Sequence, residues 1–364
     1  MPLLKRKNNT IIPLLAFLTG LLSQSAASLL LAETSPIKSD EVVTFFPTIG
    51  YPINGKTWAL HIHGWIYEPQ SEISLLMRHL FNLQDEENDD NSLFKRRAGR
   101  FFVDNERGKQ IAIHLGGKRI KLNNKSAPNG HFSDVLRLPA AKVNALRRQG
   151  KTGDFIPFEA VTRTNDSRRF HGKIQLIEKQ GISVISDIDD TIKISEVQDK
   201  WALLANTFTR PFQPVPKMAN FYNAIAQQGN VTFHYVSASP WQLYQPLRDF
   251  LSTNGFPAGS FHMRLFRWKD STFFKFFKSS RYHKIKAIQL LIECCRQRRF
   301  ILIGDSGEAD PEIYASIARR YPQQVIRIFI RDVTGEGEKA RRYQKTFKGL
   351  PKSLWTVFRD AARL

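Results

Sequence analysis

Cysteine is nearly absent: the 364 residues hold two, Cys294 and Cys295. They are neighbours in an apolar stretch that reads as helix, where bridging them strains the backbone, so no disulfide framework holds this fold. Glycine (21) and proline (18) are too sparse for a fibrous chain. Acidic residues are also short: 33 Asp and Glu face 54 Lys and Arg, a net charge of +21. That field concentrates polyanions, anionic membrane surfaces or phosphorylated substrates, which narrows the partners without defining a chemistry. With 42% hydrophobic and 24% charged residues, the composition excludes both a disordered chain and a multispanning membrane protein. The length suits about two domains of ~100 to 200 residues each.

Residues 1–32 read as an address. Lys5, Arg6 and Lys7 precede the apolar run from Ile11 to Leu22, and small residues follow at Ser25, Ala26 and Ala27. This is the pattern of a signal peptide cleaved after Ala27. An uncleaved N-terminal anchor is the rival, since Leu29, Leu30 and Leu31 lengthen the apolar stretch. Either reading exports the rest of the chain, as a periplasmic or secreted protein or as one anchored through this segment and peripheral on the membrane.

Two regions of different pattern follow. From 41 to 180 the apolar residues alternate in short segments, with Trp58, Leu60, Ile62 and Gly64 on one face and His61 and His63 on the other. Ile111 to Leu115 and Ile120 to Leu122 flank the turn Gly116-Gly117-Lys118, and Phe155 to Val161 and Lys173 to Ile177 read likewise. The expectation is an all-β, sandwich-like domain interrupted by one helix over Ser71 to Leu83 and a solvated acidic loop from Asp85 to Asp90. His61 and His63 share a strand face; rim or packing roles outweigh a metal site there.

From 181 to 364, strands alternate with helices. Strands are expected at Ser183 to Ser186, Val231 to Ser237, Phe300 to Gly304 and Val325 to Ile330. Helices are expected near Lys217 to Gln228, Trp241 to Asn254, Lys284 to Arg296 and Pro311 to Tyr321. Continuous apolar runs such as Ile301-Leu302-Ile303 suit a parallel sheet covered on both faces, whose chemistry sits beyond the carboxyl ends of its strands.

Those strand ends are polar. Asp187-Ile188-Asp189-Asp190-Thr191 follows the first, Ser237-Ala238-Ser239 ends the second, and Gly304-Asp305 with Asp310 ends the third; Lys284 opens an intervening helix. Two carboxylates two residues apart on an extended loop share one side, so Asp187 can attack phosphorus while Asp189 protonates the departing oxygen. Asp305 and Asp310 add hard oxygen ligands suited to Mg²⁺. Lys284 and the Ser237 hydroxyl suit phosphoryl oxygens, although Lys275, Lys278 and Lys286 compete for the lysine role.

This set resembles the haloacid dehalogenase superfamily: DxDxT at Asp187, Asp189 and Thr191, then Ser237, Lys284, and GDxxxxD at Gly304, Asp305 and Asp310. The strings SDIDDTIK, HYVSASPWQLY and GDSGEADPEIY further resemble the phosphatidate phosphatase catalytic domain of the yeast actin-patch-protein type, and FFPTIGY and HGWIYEP are similar to the segment that precedes it. Ala238 and Ala309 depart from that pattern where Asn and His are expected.

The resemblance implies an α/β Rossmann-like haloacid dehalogenase domain over 181–364 that converts phosphatidate to diacylglycerol with Mg²⁺ through an aspartyl phosphate. Its implied metal ligands are Asp187, Asp189 (through its backbone carbonyl), Asp305 and Asp310. Thr191, Ser237 and Lys284 are implied to hold the phosphoryl group. The alternatives are a phosphatase of the same superfamily acting on a soluble phosphomonoester or nucleic-acid end, and a noncatalytic module binding anionic surfaces. The favoured partner is an anionic phospholipid at a membrane; nucleic acid is disfavoured, and no protein partner is read from the sequence.

Between the second and third motifs, Trp268, Phe273, Phe274, Lys275, Phe276, Phe277 and Lys278 interleave aromatics with lysines. Such a loop suits a bilayer surface, with rings at the headgroup boundary and lysines on anionic lipid. A hairpin with its phenylalanines in the core is the equal alternative.

Overall fold

The computed structural model describes residues 35–70, 89–150, 153–265 and 281–364. The leader at 1–32, the expected helix at 71–83 and the aromatic loop from Trp268 through Lys278 lie outside the described residues, as does most of the acidic stretch. Asp89 and Asp90 open a helix rather than ending a loop.

The first region is built on β1 (Val42–Phe45), β2 (Thr48–Pro52), β3 (Thr57–Pro69), β4 (Val103–Asn105), β5 (Ala112–Leu115), β6 (Lys118–Lys121), β7 (His131–Pro139), β8 (Phe155–Ala160) and β9 (His171–Leu176). These strands join in the order β1-β3-β2-β9-β8-β5-β6, with β4 and β7 also on β3. The long β3 runs against β7 from Thr57 to Trp65 on one edge and against β2 and then β1 on the other. The sheet curls around one core: Phe45 of β1 meets Phe158 of β8 at 4.8 Å although the two strands are not neighbours. Trp58, Leu60 and Ile62 point into this core, as the alternation predicts. The β5–β6 hairpin closes through Gly116 (φ 56°) and Gly117 (φ 73°), the left-handed pair that a two-residue turn matching strand twist requires.

The region is not purely β. Helix α1 (Asp89–Ala98) and helix α2 (Ala140–Gly150) belong to it. Their sequences are rich in Lys and Arg, and this masks the apolar spacing.

The second region places β10 (Ile182–Ser186), β13 (Val231–Pro240), β14 (Gly259–Arg264), β15 (Arg299–Asp305), β16 (Val325–Arg331) and β17 (Trp355–Phe358) in one sheet, ordered β14-β13-β10-β15-β16-β17, with every neighbouring pair parallel. Between β10 and β13 lie the short pair β11 (Lys193–Ile194) and β12 (Gln213–Pro214), helix α3 (Lys200–Phe208) and helix α4 (Met218–Ala226). Helices α5 (Tyr244–Thr253), α6 (Arg281–Cys294), α7 (Asp310–Arg320) and α8 (Arg341–Thr346) complete it. Helix α3 starts where Asp199 accepts hydrogen bonds from the Trp201 and Ala202 backbone amides, an N-cap within an otherwise unpatterned stretch. Cys294 and Cys295 are free.

Because β10 is central, with β13 and β15 on either side, the three loops leaving these strands converge at one edge of the sheet. Among the described residues no helix is long and apolar enough to cross a membrane.

Candidate active site

Asp187 follows β10 directly, and its backbone amide donates to Ile303 O (2.9 Å). The chain then turns back on itself. Asp190 adopts φ 56°, and its carboxylate accepts from the amides of Ser195 (2.8 Å), Glu196 (2.8 Å) and Val197 (2.7 Å). Arg331 of β16 donates to Asp190 O at 2.6 Å. Asp190 is thus occupied in shaping the loop.

The third strand end is held as tightly. The Gly307 amide donates to Asp305 Oδ1 (2.7 Å), and Arg342 of α8 donates to the carbonyls of Ser306 (2.6 Å) and Glu308 (2.7 Å). Gly304 is required: a Cβ there would lie 2.3 Å from Asp310 Oδ2.

These loops bring Asp187, Asp305 and Asp310 together, each buried, with one carboxylate oxygen from each within 4.8 Å of the others. Lys284, 1% exposed, reaches in from α6, its Nζ 2.9 Å from Asp187 Oδ1, 2.7 Å from Asp310 Oδ1 and 2.9 Å from Glu308 Oε2. Its rival Lys286 on the same helix is exposed, while Lys275 and Lys278 lie outside the described residues. Burial alone would lower the Lys284 pKa; Asp187, Asp310 and Glu308 outweigh it and hold the ammonium well above its usual value. Burial pushes Asp187 and Asp305 well above the usual carboxylate range, and the neighbouring carboxylates add to the push.

Four carboxylates thus face one ammonium in a dry place. Hard oxygen donors crowded so closely that burial and mutual repulsion oppose their ionisation fit a divalent cation, which would relieve both.

Asp189 is set apart. Its carboxylate, 15% exposed, lies 2.9 Å from Lys193 Nζ, accepts from Ser195 Oγ (2.7 Å) and Ser239 Oγ (2.8 Å), and has Ser237 Oγ at 3.3 Å. Burial would raise its pKa; Lys193, Ser195 and Ser239 outweigh it and hold the carboxyl down to about 2. A narrow cleft opens onto this group, walled by Asp187, Asp189, Glu308, Ala238, Ser239 and Pro240 and roofed by Val197, Leu203 and Thr207.

Thr191, fully buried, lies behind the carboxylates, its hydroxyl 3.2 Å from Asp187 Oδ2 and 3.4 Å from Asp305 Oδ2. Ser237 is likewise buried and accepts from the Ser239 amide at 2.9 Å, whereas Ser239 reaches the cleft.

The sequence reading missed Lys193, Ser195, Ser239 and Glu308. For Ser239 the signal was available, since it follows Ser237 by two residues and faces the same side of an extended strand end. His61 and His63 stand apart from the acidic group: the His63 ring packs on Phe46 (4.8 Å) and Trp241 (4.7 Å), and the one metal-capable cluster among the described residues is the aspartate trio.

Three carboxylates and a lysine thus converge at the carboxyl edge of a parallel sheet, an arrangement able to hold a divalent cation beside an anionic group. Comparison with known proteins agrees: residues 182–332 match the family model described as phosphatidate phosphatase APP1, catalytic domain. Phosphatidate phosphatase APP1 of Saccharomyces cerevisiae is 34% identical over 158 residues, 43% of this chain and 26% of that protein. An uncharacterized protein of Schizosaccharomyces pombe is 31% identical over 176 residues, 46% of this chain and 28% of that protein. The resemblance carried by the three motif strings is therefore borne out. The matched part spans little more than a quarter of these relatives' own length. A solved structure described as "The active site of a carbohydrate esterase displays divergent catalytic and non-catalytic binding functions" gives 13% identity and a TM-score of 0.19 over 90% of each chain, a likeness that carries no argument.

Proposed function

We propose that this chain is a Mg²⁺-dependent phosphatidate phosphatase of the haloacid dehalogenase type, releasing diacylglycerol and phosphate through an aspartyl phosphate on Asp187. The observation that carries the reading is Asp187 itself, a buried carboxylate paired with Lys284 inside an acidic trio, within the stretch that matches the phosphatase catalytic domain.

Asp187, Asp305 and Asp310 would hold the ion, which supplies positive charge beside the transferring phosphoryl group when bound. The Asp187 carboxylate attacks phosphorus as the bond from phosphorus to the glycerol oxygen breaks. Lys284 offsets the charge that grows on the equatorial oxygens. Asp189 hands a proton to the glycerol oxygen and then takes one from the water that cleaves the acyl phosphate, restoring Asp187. Because Lys193 and the serines keep Asp189 ionised in the free protein, the first proton is brought in by the phosphomonoester, whose second ionisation lies near neutrality.

The aromatic loop is the proposed membrane contact, through Trp268, Phe273, Phe274, Phe276 and Phe277 with Lys275 and Lys278. Leu265 and Tyr282, its described neighbours on either side, are 44% and 67% exposed, which supports an apolar rim. Export through residues 1–32 completes the proposal.

Phosphate release from phosphatidate vesicles, glycerol phosphate and a nucleotide, with Mg²⁺ and with EDTA, tests it. Metal-dependent release from phosphatidate first among the three is expected. Release from the soluble esters alone would replace the lipid reading, and no release from any would end the enzymatic one.

A further inference from the structure

The residues between β10 and β13 that roof the cleft are gripped from the other region. Helix α1 lies against α3: Phe94 and Phe101 approach Phe208 edge-on at 6.4 and 5.6 Å. Arg97, buried, sends Nη1 to Thr207 O (2.9 Å), in the last turn of the roof helix, and to Arg210 O (2.8 Å), two residues beyond its end. The same guanidinium lies 3.7 Å from the centre of the Phe212 ring. Lys193 Nζ lies over that ring too, at 4.8 Å, and its other partners are Asp189, at 2.9 Å, and the Ser195 hydroxyl, to which it donates.

A continuous line of contacts thus runs Arg97, Phe212, Lys193, Asp189, from one region into the active cleft of the other.

We infer that Arg97 is a positioning residue for the reaction: held by two carbonyls and stacked on Phe212, it fixes through that ring the Lys193 ammonium against Asp189, so the β-rich region contributes to catalysis without touching substrate. This rests on the reading of Asp189 as the proton-transfer group. The chemistry gives a reason for the arrangement. A lysine side chain has four rotatable bonds, and Lys193 is 2% exposed. Its head needs a wall to hold it at one point, and an aromatic face supplies one that attracts a cation. The ring in turn is on a linker with a short two-residue strand beyond it, and the planar Arg97 guanidinium, tied to two carbonyls that precede the ring and packed on its face, fixes where the ring stands.

The test measures kcat and KM on a small soluble phosphomonoester, well below each variant's melting temperature, for the parent, Arg97→Met, Phe212→Leu, Lys193→Met and Arg97→Met with Lys193→Met. Displacing a catalytic group by 1 Å costs up to about 10²-fold, so Arg97→Met and Phe212→Leu are expected to lower kcat about tenfold. KM should stay within about twofold of the parent, since the phosphate ligands are untouched. In the Lys193→Met background, Arg97→Met should cost less than about twofold, because what it positions is already gone. A purely structural role would move melting temperature and multiply independently with Lys193→Met; that outcome, or an unchanged kcat, overturns the inference. If Arg97→Met fails to fold, Phe212→Leu alone and with Lys193→Met gives the same decision. An active parent with insensitive variants refutes this inference alone, while a parent inactive on every ester refutes the proposed function and takes this inference with it.

Discussion

Replacing Lys284 by Met removes the one positive charge from among four crowded carboxyl groups. The side chain is nearly isosteric, so the core of α6 keeps its packing, and the loss is electrostatic. Asp187, Asp310 and Glu308 each lose a partner at 2.7 to 2.9 Å. Removing one member of a buried ion pair costs about 3–5 kcal/mol, because the charge left behind is uncompensated. At about 2–4 °C per kcal/mol for a domain of this size, melting should fall by roughly 6–20 °C at pH 7. The deficit should narrow as the pH falls. A carboxylate whose folded pKa is raised binds protons in the folded state before the unfolded one, so acid favours the folded variant across that window. Saturating Mg²⁺ should narrow it too, by restoring positive charge. Differential scanning fluorimetry at pH 7 and pH 5, with and without Mg²⁺, reads all of this. Lys286→Met, exposed two residues on, is the control and should change stability by no more than about 0.5 kcal/mol. If Lys284→Met melts with the parent and the control at pH 7, the carboxylates are not ionised together and the charge argument for a metal centre falls.

Asp187→Asn should abolish phosphate release with folding intact, and Asp189→Asn should slow it by about 10²-fold or more, both read as release from the best substrate of the panel; turnover near the parent's in the first variant would refute the nucleophile. His131 and His234 are buried, and burial holds them neutral, His131 down to about 4 and His234 well below the usual value. At these two sites the unfolded chain therefore binds more protons below about pH 6.5, so relative to a His131→Gln, His234→Gln variant the parent should lose about 2 kcal/mol between pH 6 and pH 5, measured by urea melts, with the opposing carboxylates common to both; parallel pH profiles in parent and variant would show both rings protonated in the fold. Replacing Phe274 and Phe277 with Ser should lower activity on phosphatidate vesicles and spare a short-chain soluble analogue; equal losses on both, with lower melting, would put these rings in the core.

What the sequence made legible is the part where the polypeptide obeys short-range rules. Ile182 to Ser186, Ile-Ser-Val-Ile-Ser, runs straight into Asp187, and an internal parallel strand with a reactive carboxyl end has that form. Strand β14, Gly-Ser-Phe-His-Met-Arg, lies at the sheet edge, lacks such a run, and was not expected. Helices α1 and α2 were hidden by their lysines and arginines, and α3, as long as the expected α4, was not expected either. At the site, Asp187, Lys284, Asp305 and Asp310 converge as their spacing implies. The groups around Asp189 did not announce themselves, because Lys193 and Ser195 become partners only through the turn at Asp190, whose φ of 56° reverses the chain. Arg97 could not be seen at all, since its carbonyl acceptors lie more than a hundred residues away.

The hydrophobic cluster beneath the catalytic sheet takes Phe46, Trp65, Tyr67, Phe94 and Phe101 from the first region together with Val184, Phe208, Trp241 and Tyr244 from the second. A seam near residue 180 exists in the chain, then, and not in the interior. During synthesis the first region leaves the ribosome with these five aromatics uncovered, a sticky surface that must wait for Phe208, Trp241 and Tyr244 before its cover arrives. A chain cut at Gly181 would leave both halves with that surface bare, so coexpressed halves are expected to recover each other, while either half alone depends on chaperones to stay in solution.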